Sequence, residues 1–216
     1  MAKRKRSNLT EEEQRTSQAG ARILMIAGGA IAIFIAVMGV IMSAFNAVET
    51  ANLIEQYGET VASSCQPVPV GSTSVDFLPE TDPPRQMILL EAGAQRFHDW
   101  HGDLTVQWKA ADEAAVALVG CVEEDFVEIE TCTYTRQSES ARSGETFTSR
   151  ITREQHAVTI TLINPATGRI VDALSLTGPE PITCPDDEDV VGSGRERGDE
   201  LTWADFGVWA EAYILE

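Results

Sequence analysis

Positive charge is scarce in this chain: 16 Lys and Arg stand against 34 Asp and Glu, a formal net of −18 with a sequence pI near 4.4. Nucleic acid is excluded as a natural partner, because phosphate binding draws its affinity from clustered cations. Histidine is scarcer still, with only His98, His101 and His156, which limits imidazole catalysis without touching carboxylate chemistry. No G-x-S-x-G elbow, H-E-x-x-H pair or Walker loop occurs, so no catalytic residue and no cofactor is implied by motif. No C-x-x-C pair exists, and no cysteine precedes Cys65. At 43% hydrophobic and 23% charged, the 216 residues are too apolar for a disordered chain.

Charge of either sign is wholly missing from Ile23 to Phe45. A helix of that length reaches roughly 35 Å, enough to cross a bilayer. Lys3, Arg4, Lys5, Arg6, Arg15 and Arg22 precede it, and the next basic residue is Arg85, so the Lys/Arg bias predicts a cytoplasmic N-terminus and an exported remainder. Taking away the tail's six basic and three acidic residues leaves ten basic and 31 acidic outside, a net of −21. A cleaved signal peptide is the competing reading, but its apolar region spans about 7 to 15 residues before a small-x-small site. Here cleavage after Ala47 or Ala44 would place Phe45 or Met42 at the −3 position. A lipoprotein reading of Cys65 fails because that cysteine lies well beyond the apolar run.

Within the anchor, Gly29, Ala32, Ala36, Gly39, Ser43 and Asn46 alternate at spacings of three and four. Small residues on such a seam let two helices approach in lipid, which predicts a membrane-protein partner or a homo-oligomer through this helix. The bilayer itself is the first partner.

The domain plan follows from composition: residues 1–22 a basic cytoplasmic tail, 23–45 a transmembrane helix, 46–86 a stalk and Pro-rich lead-in, and 87–216 the exported domain. That domain reads as mainly β, sandwich-like and antiparallel, with a C-terminal helix over 202–215. Met87–Glu91, Leu104–Trp108, Ala115–Cys121 and Val127–Tyr134 are short runs rich in β-branched and aromatic residues. Phe147–Ile163 and Ile170–Leu176 flank Asn164-Pro165-Ala166-Thr167-Gly168-Arg169, a β-hairpin whose Pro presets φ and whose Gly can take φ > 0. Phe147 and Ile151 are odd-numbered while Val158, Ile160 and Leu162 are even, which predicts a bulge near Gln155 to Ala157. The stretch 180–200 reads as loop. In the last helix Trp203, Phe206, Tyr213 and Ile214 share a face with Trp209 at its flank, either closing the domain's own core or serving as a partner contact.

Cys65, Cys121, Cys132 and Cys184 all lie after the anchor, and an even number in an oxidising compartment predicts two disulfides with three connectivities open. Their spacings of 56, 11 and 52 do not suit a zinc site. Two other clusters invite a metal reading. Arg96-Phe-His98-Asp99-Trp-His101-Gly-Asp103 sets two histidines three apart but does not identify a third ligand, which favours a structural or solvated role, and Asp186-Asp-Glu-Asp189 lacks the alternating calcium-loop pattern. The tripeptide Arg197-Gly198-Asp199 is discounted as a chance occurrence in a charged loop.

Leu118-Val-Gly-Cys-Val-Glu-Glu, Glu130-Thr-Cys-Thr-Tyr134, a strand with Arg150 and Arg153, the Ala166-Thr-Gly168 turn and Gly178-Pro-Glu-Pro-Ile-Thr-Cys-Pro185 together resemble an uncharacterised bacterial extracytoplasmic β-rich domain. That domain is found behind single membrane anchors or beside β-propeller repeats. The resemblance covers roughly Leu118 to Pro185. It implies an exported β-rich module with Cys121 and Cys132 as a local pair, which leaves Cys65 for Cys184, and it supplies no catalytic residue. The function expected is that of a single-pass, membrane-anchored interaction or accessory protein, of a size that suits a small subunit of a membrane complex, and not an enzyme. The second reading is an extracytoplasmic sensor for a small ligand or cation.

Overall fold

The computed structural model describes residues 11–66, 83–137, 146–186 and 192–215, with side chains from Phe34 onward. The backbone divides into two compact units, Met1–Glu49 and Thr50–Glu216.

The described residues of the first unit, 11–49, are helical and belong to α1 (Glu11–Ala62). From Phe34 to Val48 its side chains are exposed, Phe34, Ile35, Val40 and Phe45 among them. The helix is long and apolar enough to span a membrane. In the seam, Ala36, Gly39 and Ser43 are exposed, and Ser43 Oγ donates to Gly39 O at 2.9 Å. The side chains of Gly29 and Ala32 lie outside the described residues.

In the second unit the last turns of α1 carry Leu53, Tyr57 and Val61, spaced by four, all buried. The compact unit therefore begins at Thr50 rather than at 87, and the stretch expected to be a free stalk packs into the domain. Helical geometry breaks at Gly58, where φ is 77° and a Cβ would run into the Glu113 carboxylate. Only glycine meets both demands.

Among the described residues, five strands form one mixed sheet: β1 (Gln86–Glu91), β2 (Val116–Gln137), β3 (Thr146–Asn164), β4 (Arg169–Thr177) and β5 (Gly194–Arg197). The path runs β1-β2-β3-β4. β2–β3 and β3–β4 are antiparallel, whereas β1 lies parallel to β2 and β5 parallel to β3. The hairpin sits where expected, with Gly168 at φ 65° closing its turn.

Strand alternation sends Leu118, Val122, Val158, Ile160 and Leu162 to one face. There they pack with Met87, Leu89 and Trp100 beneath α2 (Trp203–Leu215), which contributes Trp203, Phe206, Ala210 and Ile214. The opposite face carries Ile88, Leu90, Val119, Cys121 and Ile163 beneath Leu53, Tyr57, Val61 and Ala62 of α1. The expected β-rich, mostly antiparallel character is present. Among the described residues, however, helical segments cover the two faces of a single sheet, in the places a sandwich would fill with a second sheet.

Three local expectations are corrected. Leu104–Trp108 is no strand: the Thr105 carbonyl accepts from the amides of Trp108 and Lys109, both at 3.0 Å, and the segment turns. β3 has no bulge at Gln155 to Ala157; the extra residue is Ile129 on β2, between the pairs Glu128–Glu154 and Glu130–Arg153. Phe147 needs no bulge to reach the core because it is exposed. Finally, residues 194–197 of the expected loop form β5.

Candidate functional site

The disulfides are Cys65–Cys121 and Cys132–Cys184. All four cysteines are paired as expected in an oxidising compartment, but the local pair Cys121–Cys132 is ruled out. Both belong to β2, and eleven residues of extended chain separate them by about 36 Å, far beyond the roughly 6 Å span of a disulfide. Because the bulge at Ile129 resets the alternation, Cys121 and Cys132 nevertheless face the same side of the sheet. The first fastens the end of α1; the second fastens the segment before Pro185.

The histidine cluster is a folding device. His98 precedes a short 3-10 helix (Asp99–Asp103), its Nδ1 accepts the Trp100 amide at 3.3 Å and its Nε2 lies 3.1 Å from Glu124 Oε1. His101 Nδ1 accepts the Leu89 amide at 3.3 Å while its ring stacks on Phe97 at 4.4 Å. Burial, and then the nearby Lys109 charge, lowers His101 from 6.5 to about 4. His156 repeats the arrangement: Nδ1 accepts the Leu201 amide at 2.8 Å, and the ring stacks on Phe126 with Arg197 over that ring at 4.1 Å. In each network Nδ1 accepts from, and so holds, the chain's own backbone.

Two neighbouring residues of β3, Arg153 and Glu154, carry opposite buried charges to opposite faces of the sheet. Arg153 donates to the carbonyls of Pro181 and Ile182, both at 2.8 Å, and pairs with Glu130. Glu154 takes Arg195 at 3.0 Å and Arg197 at 3.1 Å from β5. Tyr134 adds a hydrogen bond from its hydroxyl to Pro185 O at 2.7 Å. Among the described residues one group of potential ligand atoms converges, Glu130 with Cys132 and Cys184, but those sulfurs are bonded to each other. Asp186 is described, and the rest of the acidic run lies outside the described residues.

In α2 the aromatic face divides. Trp203 and Phe206 are buried in the domain's own core, which removes them as partner contacts. Trp209 and Tyr213 are half-buried and both donate to Asp172 Oδ2, Trp209 at 3.0 Å. Burial pushes Asp172 up, but hydrogen bonds from Tyr213, the Ala173 amide and Trp209 outweigh it, and its carboxyl lies below the usual range.

What remains open is the distal half of the β2–β3 ribbon. β1 pairs β2 only as far as Val122, while β2 continues to Gln137. Glu123, Glu124, Asp125, Glu128 and Glu130 are exposed along this stretch, as are Val127 at 47% and Ile129 at 37%. The sequence read as two strands interrupted by acidic residues; the interruption is a continuous strand exposed to solvent, where carboxylates are free to sit. No protein-family model, curated protein or solved structure matches the chain.

Proposed function

We propose that this protein is a single-pass, membrane-anchored interaction or accessory module, not an enzyme, with a cytoplasmic N-terminus and an extracytoplasmic domain in the cell membrane. One observation carries this reading: the buried charged and imidazole side chains are occupied with the chain's own segments. Arg85 donates to Tyr213 O at 3.1 Å, His98, His101 and His156 hold backbone amides, and Arg153 and Glu154 clamp incoming strands. A site built for turnover keeps such groups aimed at a reactant. The long exposed ribbon offers surface instead. The Lys/Arg asymmetry around the apolar helix supports the orientation, and two disulfides agree with export. The likeness of Leu118 to Pro185 to an extracytoplasmic β-rich domain points the same way.

Co-purification from native membranes in mild detergent tests this. A stoichiometric membrane partner is expected; a protein recovered alone, whose melting temperature rises with a small ligand or cation, would favour the sensor reading instead. Protease added at the outer face should remove the domain and leave the tail, and a mature chain beginning near residue 45 would refute the retained anchor.

A further inference from the structure

We propose that the outer edge of β2, from Glu123 to Gln137, is a docking strand that pairs with an extended, lysine- or arginine-rich segment of a partner protein. This rests on the interaction-module reading and names the surface and the chemistry of what it takes.

Antiparallel pairing with β3 uses the amides and carbonyls of alternate β2 residues, and the others point outward. Val116 to Val122 direct theirs to β1. Beyond Val122, among the described residues, no strand pairs with this edge. The Phe126 amide makes the direction visible: it donates to the Asp125 carboxylate at 2.7 Å, a side-chain acceptor standing where a neighbouring strand's carbonyl would be. By alternation the Glu124 and Glu128 amides point the same way.

An open edge of about fifteen residues is two to three times the ordinary length of a strand. Natural edges of this kind are shortened, covered or interrupted by proline, since they otherwise template aggregation. This one has no proline and a single bulge. Its protection is charge: Glu130 is paired with Arg153 and Glu124 meets His98, but Glu123, Asp125 and Glu128 have no ion pair among the described residues, and in a second copy they would meet their own kind and repel it. The same carboxylates attract a strand bearing Lys or Arg at alternate positions, while Val127 and Ile129 offer apolar contact between them. Charge selects the partner and excludes the self-pair by one device.

The test uses the full chain in nanodiscs of phosphatidylcholine, whose zwitterionic surface does not attract basic peptides, with empty discs as the blank. The probe is a peptide alternating lysine with valine; its control has prolines in place of alternate valines and the same charge. Saturable binding of the probe at least roughly tenfold tighter than the control is expected, since proline cannot complete the ladder. Glu128→Pro places proline where the amide points outward, sparing the β3 ladder, and should abolish the difference. Glu123→Lys, at an exposed carboxylate that caps no backbone amide, should weaken the probe through charge alone, and it serves as a second variant if the proline disturbs folding. Equal binding of probe and control, no binding of either, or an edge-dependent dimer would each overturn the proposal. A partner that co-purifies equally with wild type and Glu128→Pro would overturn the edge while leaving the accessory reading intact. Strand-dependent peptide binding without any co-purifying partner would support the edge and count against a stable subunit.

Discussion

The two halves of the β2–β3 ribbon share one pair of strands and obey opposite rules. In the proximal half, Val119, Val122, Ile160 and Ile163 are buried between helices on both faces, and the sequence there is apolar. In the distal half neither face has a helix over it among the described residues; carboxylates, threonines and a 59% exposed Phe147 take their place. The distal half is held by a few specific ties instead: Cys132–Cys184, the Arg153 clamp and the Tyr134 hydrogen bond. Burial stabilises the first half in proportion to area, whereas the second depends on a handful of named contacts. The two should therefore fail differently.

The sharpest break is in the proximal half. Phe206 is fully buried and packs against Trp100 at 5.4 Å, so Phe206→Ala should cost about 3 to 5 kcal/mol. Urea unfolding followed by tryptophan fluorescence reads this, and a loss under about 1 kcal/mol would mean that α2 does not close the core.

The disulfides sharpen the contrast. Each closes a loop of similar size, 56 and 52 residues, and by chain entropy each contributes about 4 kcal/mol. Their accessibility differs. Cys65 and Cys121 are 0% and 1% exposed, whereas Cys184 is half-buried at the surface. Under native conditions a dithiol reductant should open Cys132–Cys184 first. Alkylation followed by peptide mapping measures the order, and reduction of Cys65–Cys121 first would show that the proximal half is the looser one.

Acid acts mainly on the proximal half. His101 titrates near 6.5 when unfolded and about 4 when folded, so the unfolded chain binds the extra proton between those values. Stability is full above about 6.5, falls as pH drops and has lost roughly 3 kcal/mol by about pH 4. Asp172, whose pKa is lowered, adds its loss at still lower pH. His101→Gln should flatten the upper part of this dependence. An unchanged slope in that window would place the sensitive group elsewhere.

Legibility followed the same division. The hairpin and the C-terminal helix were readable because alternation and a helical stripe mark any element with one buried face. The packing of Leu53, Tyr57 and Val61 was written in their spacing by four, but continuity with the apolar anchor disguised it as a stalk. Val127–Tyr134 was readable as strand from its β-branched residues, but the acidic stretch before it and β5 carried no such pattern, since a segment exposed to solvent, or fixed by Arg195 and Arg197 to one buried glutamate, has no hydrophobic period. The disulfide pairing depended on Cys121 and Cys132 sharing one long strand, and that strand was hidden by the acidic run from Glu123 to Asp125.

The smallest effect expected is at Phe147. An aromatic residue on a β-strand invites assignment to a core, and in the proximal half its replacement would rank with Phe206. Here the side chain is 59% exposed on a two-stranded ribbon, across from Arg136 in register. Its removal from water on folding is slight, so Phe147→Ser should change unfolding free energy by under about 0.5 kcal/mol. The peptide of the docking experiment should also bind as before, because Phe147 belongs to β3 and the open edge belongs to β2. A loss above about 1 kcal/mol would mean that something packs over this face of the arm, and the contrast between the halves would shrink to a difference in which cover each one has.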